Sequence, residues 1–214
     1  MRQTIPAILF VLLSATWATG AQTILDLSGN SWETGGFPSS EVGDELQAVG
    51  ILNDIEAPLV WNTAQYSYTW YIRGLISQGE SINGTTHIVQ YSGGLLTIYV
   101  DSLPSNADYG VDPPNATSPA TFTDGFSTYL DGEFGDFTLT YNVATSTGSF
   151  VGDLTFTGGD VFPLLVDPTG WTFGANIAGF SPGGYDLELN GEVFLQGPSS
   201  VDASTWGSIK SLYR

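Results

Sequence analysis

The chain has 214 residues, of which 22 are acidic, 4 are basic and one is histidine, so its formal net charge is −18. This composition argues against a nucleic-acid partner, because phosphate binding needs clustered lysine and arginine that the chain lacks. Cysteine is absent, which excludes disulfides, thiolate metal sites and a cysteine nucleophile. A hydrophobic content of 42% is ample for a folded core, so the acidity does not indicate a disordered chain.

Residues 1–21 have the pattern of a secretory signal peptide. Arg2 supplies a positive charge, residues 5–13 form an apolar run, and residues 19–21 are small and suit a cleavage site. The apolar run is too short to span a bilayer comfortably. No later segment approaches 18 consecutive apolar residues, so we expect no transmembrane helix in the mature chain. The sequence therefore predicts that the protein is secreted or attached to the cell surface.

The chain after the leader is predicted to divide into three parts. Residues 22–44 are rich in glycine, serine and proline and predict a loop over 28–44. Residues 45–196 are predicted to form the folded domain, and residues 197–214 a hinge and a C-terminal tail. Within the domain, alternation of apolar and polar residues or runs of β-branched and aromatic residues predict strands. These strands cover residues 45–54, 66–73, 85–91, 95–101, 137–142 and 149–157.

The end of the domain carries a strong hairpin signal. Asn190-Gly191 lies between two further strand-like segments, and both residues tolerate the positive φ angles of a two-residue turn. Many short strands separated by glycine, proline and aspartate predict an all-β antiparallel fold. The first architecture considered is a jelly-roll-like β-sandwich, and the alternative is a closed β-barrel.

Two faces of the strand at 66–73 have different predicted roles. Tyr66, Tyr68 and Trp70 share one side, where they are predicted to lie in the core, although three aromatic rings would also suit a platform for sugar rings. The opposite side carries Tyr71 and Arg73. These two residues are the candidates for contact with an external ligand.

The single histidine, His87, limits nucleophilic catalysis. It lies within a predicted strand on the same side as Val89 and Tyr91, and no G-x-S-x-G sequence accompanies it. A hydrogen-bonded strand histidine is therefore the preferred interpretation.

Carboxylates are the most abundant reactive groups. Asp124, Asp131, Glu133 and Asp136 lie within thirteen positions of one another, and such a density of oxygen ligands predicts a candidate Ca²⁺ site. The spacing does not follow the EF-hand pattern, and solvated turn residues explain the same sequence.

Two pairs of acids would also suit glycoside hydrolysis. Residues i and i+2 of a strand lie about 6.5–7 Å apart on one face, near the lower limit for an inverting pair of carboxylates. Asp131 with Glu133, and Asp186 with Glu188, meet this condition if the chain is extended.

The tail differs in composition from the rest of the chain. It combines two of the four basic residues with aromatic and aliphatic residues, at Trp206, Ile209, Lys210, Tyr213 and Arg214. Trp206, Ile209 and Tyr213 have the spacing of one face of a short amphipathic helix. The tail is predicted either to dock on the domain or to act as a sorting signal.

The favoured function is that of a non-catalytic binding or structural module, with extracellular glycan, Ca²⁺ or both as ligands. The first alternative is the carboxylate-dependent glycoside hydrolase. The second is a small outer-membrane β-barrel, which requires lipid-facing apolar residues around every strand.

Overall fold

The computed structural model of the chain describes residues 22–110, 118–179 and 183–195. The predicted signal peptide and the predicted hinge and tail lie outside these ranges. In the described part of the chain, nine strands are joined by loops, one short helix and one 3₁₀ turn. They are β1 (Gln22–Glu33), β2 (Glu45–Ile55), β3 (Tyr66–Asn83), β4 (Thr86–Ser92), β5 (Leu95–Ser102), α1 (Ser118–Thr123), β6 (Ser127–Asn142), β7 (Thr147–Gly158), the 3₁₀ turn Phe162–Leu164, β8 (Trp171–Ala178) and β9 (Leu187–Leu195).

The strands form a closed antiparallel barrel in which strands adjacent in sequence pair with each other, except β4 and β5. β9 pairs with β1, which completes the ring. β4 and β5 together occupy one position of the ring, because both pair with β3. β4 pairs with residues 76–83 of β3, and β5 pairs with residues 66–73 of β3. The barrel thus has eight positions around its circumference. The all-β antiparallel prediction is confirmed, and its closed-barrel form is the architecture found.

The interior of the barrel is filled with side chains. Alternate residues of each strand point inward, as the period of a β-strand requires, and these inward positions are apolar and buried. Tyr68, Trp70 and Ile72 are 5%, 0% and 2% exposed, which confirms their predicted place in the core. Tyr66 lies at the end of the strand, is half-buried, and packs its ring against Phe126.

The largest interior side chain, Trp70, packs against two inward-facing glycines. Gly29 of β1 pairs with Gly50 of β2, which in turn pairs with Trp70 of β3. A β-carbon at Gly29 or Gly50 would lie 2.5 or 2.4 Å from Cζ2 of the Trp70 indole. The indole Nε1 donates a hydrogen bond to the Ile51 carbonyl, 3.0 Å away. The three strands therefore fit together because the glycines leave room for the ring.

The N-terminal segment differs from its prediction, because part of it is a strand of the barrel. Residues 28–33 were predicted to lie in a loop and residues 22–44 outside the domain, whereas residues 22–33 form β1 and close the barrel. The sequence SGN resembles a turn, but its glycine faces Trp70 and its backbone is hydrogen-bonded to strands on both sides. Only residues 34–44 connect β1 to β2 as a loop.

The predicted hairpin at Asn190-Gly191 was wrong. Both residues lie in the middle of β9, which pairs along its length with β1 and β8. A β-carbon at Gly191 would lie 2.8 Å from Cβ of Ala175 and 3.2 Å from Cδ1 of Leu27. This glycine therefore permits close packing in a continuous strand.

A second apolar cluster lies outside the barrel. The described parts of the connection between β5 and β6 pack on the outer wall of β1, β2 and β3, where Phe122 of α1 is fully buried. Thr69 donates a side-chain hydrogen bond to the Phe122 carbonyl (3.0 Å), and Tyr185 donates one to the Tyr109 carbonyl (2.7 Å). This wall of the barrel is thus covered by the chain itself. Among the described residues, no helix is both long and apolar enough to cross a membrane.

The glycine–tryptophan contact gives a stability prediction. In Gly50→Ala the new β-carbon would lie 2.0 Å from the Ser28 carbonyl oxygen and 2.4 Å from the Trp70 ring, so we expect a loss of about 2 kcal/mol in the free energy of unfolding. Gly135→Ala is the control, because the nearest atom to its β-carbon would be 3.6 Å away. Urea unfolding of both variants measures the difference, and equal stabilities would contradict the packing.

Candidate functional site

An open groove crosses the outer wall of the barrel over β7, β8 and β9, with a volume of about 430 Å³. Its centre is a row of three polar residues in register, in which Ser149 pairs with Asn176 and Asn176 with Asn190. Neighbouring strands lie about 4.8 Å apart, so the row is about 10 Å long. The inward neighbours of these residues lie in the core, and their own side chains point to solvent.

The three polar side chains are free to bind a ligand. None of them makes a hydrogen bond with any other residue in the described part of the chain. Asn176 and Asn190 are exposed, and Ser149 is half-buried. Each asparagine amide offers two donors and one acceptor, and the serine hydroxyl can donate or accept. The groove thus presents several hydrogen-bonding groups at fixed positions on paired strands.

The rest of the groove combines apolar surface with one carboxylate. Phe194 lies against Gly174, where a β-carbon would be 3.2 Å from Cε1 of the ring. Val151 is 51% exposed. The Glu192 carboxylate accepts a hydrogen bond from Thr23 Oγ1 at 3.0 Å, which fixes one of its oxygens. Polar and apolar groups therefore line the groove in similar measure.

The carboxylates predicted to bind Ca²⁺ lie on a strand and a loop. Asp131, Glu133 and Asp136 belong to β6, where turns had been expected, and Asp124 follows α1 and accepts a hydrogen bond from Asn106 at 2.8 Å. Among the described residues no group of three or more histidine or acidic side chains is placed to hold a metal ion. The Ca²⁺ site stays a prediction without a gathered set of ligands.

None of the acids considered for hydrolysis is a lining residue of the outer groove, although Glu188 lies two residues before Asn190 on the exposed face of β9. Asp131 and Glu133 lie on β6, and Asp186 precedes β9, where it accepts a hydrogen bond from the Glu33 backbone amide at 2.8 Å. Burial raises the pKa of Asp186, whereas Glu188 is exposed. The hydrolase alternative stays a prediction.

The predicted ligand contacts Tyr71 and Arg73 lie on the opposite wall of the barrel. β3 and β8 are four positions apart in the eight-position ring. The Tyr71 hydroxyl donates a hydrogen bond to Gln47 Oε1, and the Arg73 guanidinium carbon lies 5.6 Å from the centre of the Tyr71 ring. Tyr71 also packs against the second apolar cluster. The structure gives both residues local packing partners and does not place them in the outer groove.

His87 has the structural role expected from the sequence. Its Nδ1 atom lies 2.5 Å from Glu80 Oε1, across the pairing of β3 with β4. The two neighbours on its side, Val89 and Tyr91, are buried in the barrel.

A buried carboxyl, Glu33, lies at the end of the barrel where β1 ends and β2 begins. Ser77 and Ser40 are linked at 2.8 Å, and Ser40 donates to Glu33 Oε1 at 2.5 Å. Glu33 Oε2 and the Tyr91 hydroxyl are buried without a partner at ordinary hydrogen-bond distance. Burial raises the pKa of Glu33 from 4.5 to about 7, and the nearby carboxylate of Asp44 adds to the rise.

The sequence did not identify the outer groove. Asn190 was predicted to be a turn residue, and the strand that carries Asn176 was not predicted. Residues 171–178 do alternate between apolar and small or polar residues, so period-two alternation could have revealed β8. The alignment of residues 149, 176 and 190 depends on the register of three strands.

Comparisons with known proteins give no relative. The chain matches no protein-family model, no curated protein and no solved structure.

Ionisation of Glu33 makes stability depend on pH. The folded state holds this proton up to about pH 7, whereas the unfolded chain releases it near 4.5, so stability falls as pH rises through that interval. We expect Glu33→Gln to stabilise the protein at pH 8 by about 2 kcal/mol and to flatten the pH dependence between 5 and 8. Thermal unfolding at several pH values measures both effects.

The control for this experiment is Glu41→Gln. Glu41 is an exposed acid in the loop that follows Glu33, and its replacement changes the net charge equally. An equal flattening in both variants would show that general charge repulsion, and not the burial of Glu33, causes the pH dependence.

Proposed function

We infer that the barrel is a non-catalytic binding module for a neutral extracellular glycan, which binds in the outer groove. The observation that carries this proposal is the row of unpaired polar side chains Ser149, Asn176 and Asn190 beside the Phe194 ring. Binding in this groove requires no rearrangement of the described chain.

The chemistry of the groove suits a sugar. A sugar ring carries hydroxyl groups that both donate and accept hydrogen bonds, and asparagine amides offer both kinds of partner. The apolar faces of sugar rings pack against aromatic and aliphatic groups, which Phe194 and Val151 supply at the groove. A site with a few fixed polar groups on a largely preformed surface is typical of small-ligand recognition.

The charge of the protein favours a neutral ligand. Arg73 is the only lysine or arginine between residues 22 and 195, and it lies on the opposite wall of the barrel. Nucleotides, phosphates and acidic polysaccharides would meet a chain with 22 acidic residues and would be repelled. The leader-like pattern of residues 1–21 supports an extracellular or cell-surface location for such binding.

The groove itself supports binding without catalysis. Among the described residues Glu192 is the only carboxylate that lines it, whereas glycoside hydrolysis by the usual mechanism needs two carboxyl groups on either side of the bond. One oxygen of Glu192 also accepts the hydrogen bond from Thr23. The arrangement suits a hydrogen bond to a sugar hydroxyl.

Two substitutions that remove an asparagine side-chain amide test this proposal. We expect the protein to bind a member of a panel of neutral oligosaccharides (cello-, xylo-, manno- and malto-series) in titration calorimetry. Asn176→Ala and Asn190→Ala should each weaken that binding about five- to tenfold, because each removes hydrogen bonds worth about 1 kcal/mol. Both side chains are exposed, so the variants should fold normally.

Gln90→Ala is the matched control, because Gln90 is an exposed amide on β4, outside the groove. Its affinity should equal that of the unmodified protein. Absence of binding to the whole panel would overturn the proposal, as would binding that both asparagine variants leave unchanged.

A further inference from the structure

A second groove opens at the end of the barrel where β2 ends and β3 begins. Its volume is about 450 Å³, and its walls come from the ends of these strands, the loop between them and the chain after β5. Four aromatic residues line it, namely Trp61, Tyr66, Tyr68 and Tyr109. It shares no residue with the outer groove.

This end groove is apolar and partly uncovered. The Trp61 ring stacks on Tyr68 with ring centres 5.0 Å apart. Leu103 in its wall is 48% exposed, and Phe126, which packs against the lining residue Tyr66, is 63% exposed. Contiguous exposed apolar surface of this kind marks a site of contact with another apolar group.

The described chain ends beside this groove. Leu195, the last residue of β9, pairs with Gln22 of β1. The side-chain amide of Gln22 donates a hydrogen bond to the Ala57 carbonyl at 3.0 Å. The loop that contains Ala57 also carries Trp61. β9 therefore ends at the same end of the barrel as the end groove.

We propose that residues 203–214 of the same chain dock in the end groove. Trp206, Ile209 and Tyr213, which have the spacing of one helical face, would cover the apolar walls of the groove. The segment contains two basic residues, Lys210 and Arg214, and no acidic residue. It is the only part of the chain after residue 73 with lysine or arginine.

Charge complementarity supports this occupant. Asp101 pairs with the lining residue Ser67 in the register of β3 with β5, and Asp108 lies between two other lining residues of the groove. These carboxylates flank the apolar walls. Lys210 and Arg214 would therefore approach acidic groups when the apolar side chains enter the groove.

The connection is long enough to reach the site. Three strand positions separate β9 from β3, or about 14 Å along the wall at 4.8 Å per position. The eleven residues from Leu195 to Trp206 span up to about 36 Å when extended. Docking within one chain therefore needs no distortion of the barrel.

The absence of cysteine allows a direct proximity test in the full chain. Ser105, an exposed residue that lines the end groove, is replaced by cysteine together with Ser208 in the tail. We expect the Ser105→Cys/Ser208→Cys pair to form an intramolecular disulfide under mild oxidation at least ten times faster than a control pair. The products are identified by non-reducing electrophoresis and mass spectrometry.

The control pair is Thr157→Cys/Ser208→Cys. Thr157 is exposed near the end of β7, at the same end of the barrel, and β7 is closer to β9 in the ring than β3 is. A tail that does not dock would reach Thr157 at least as often as Ser105. Adding Trp206→Ala to the test pair should reduce its rate to that of the control.

Equal rates for the two pairs would overturn the proposal. So would disulfides formed mainly between two chains, or a rate that Trp206→Ala leaves unchanged. Because the two grooves share no residue, these outcomes are independent of glycan binding in the outer groove.

Discussion

Packing of aromatic rings against inward-facing glycines holds this barrel together. The Trp70 indole occupies the space above Gly29 and Gly50, and the ring of Phe137 lies where a β-carbon on Gly152 would be only 2.4 Å away. These contacts bring neighbouring strands close together, and the aromatic rings are buried in the barrel interior. The candidate binding surfaces lie on the outer wall and at one end of the barrel.

The strongly acidic composition shapes these surfaces. With Arg73 as the only lysine or arginine between residues 22 and 195, most carboxylates lie without an opposite charge nearby. Uncharged Ser149, Asn176 and Asn190 form a polar row in the outer groove, beside the carboxylate of Glu192. The acidic composition also affects the interior, where Glu33 is buried. Its raised pKa makes the folded state more stable when the carboxyl is protonated.

Much of the fold could be predicted from local patterns. Alternation, together with β-branched and aromatic runs, predicted β2, β4, β5, β7 and the start of β3, and it placed Tyr68 and Trp70 in the core. The errors came from glycine. Gly29 and Gly191 were interpreted as turn residues because sequence alone does not distinguish a glycine that turns the chain from one that makes room for Trp70 or Leu27.

The outer groove could not be predicted from the sequence for a related reason. Its polar row joins residues from three strands, and only the hydrogen-bonding register aligns them. The predicted candidates, by contrast, were residues close together in sequence. Tyr71 and Arg73 do lie side by side, but on the wall that the chain between β5 and β6 partly covers.

The central claim is that the barrel interior is filled and that ligand binding takes place on its outer wall. Chemical-shift mapping of backbone and asparagine side-chain amides during titration with a neutral oligosaccharide tests it most directly. The account predicts perturbations confined to residues near Ser149, Asn176, Asn190 and Phe194. Perturbations centred instead on interior residues such as Trp70, Tyr91 and Phe137 would contradict it.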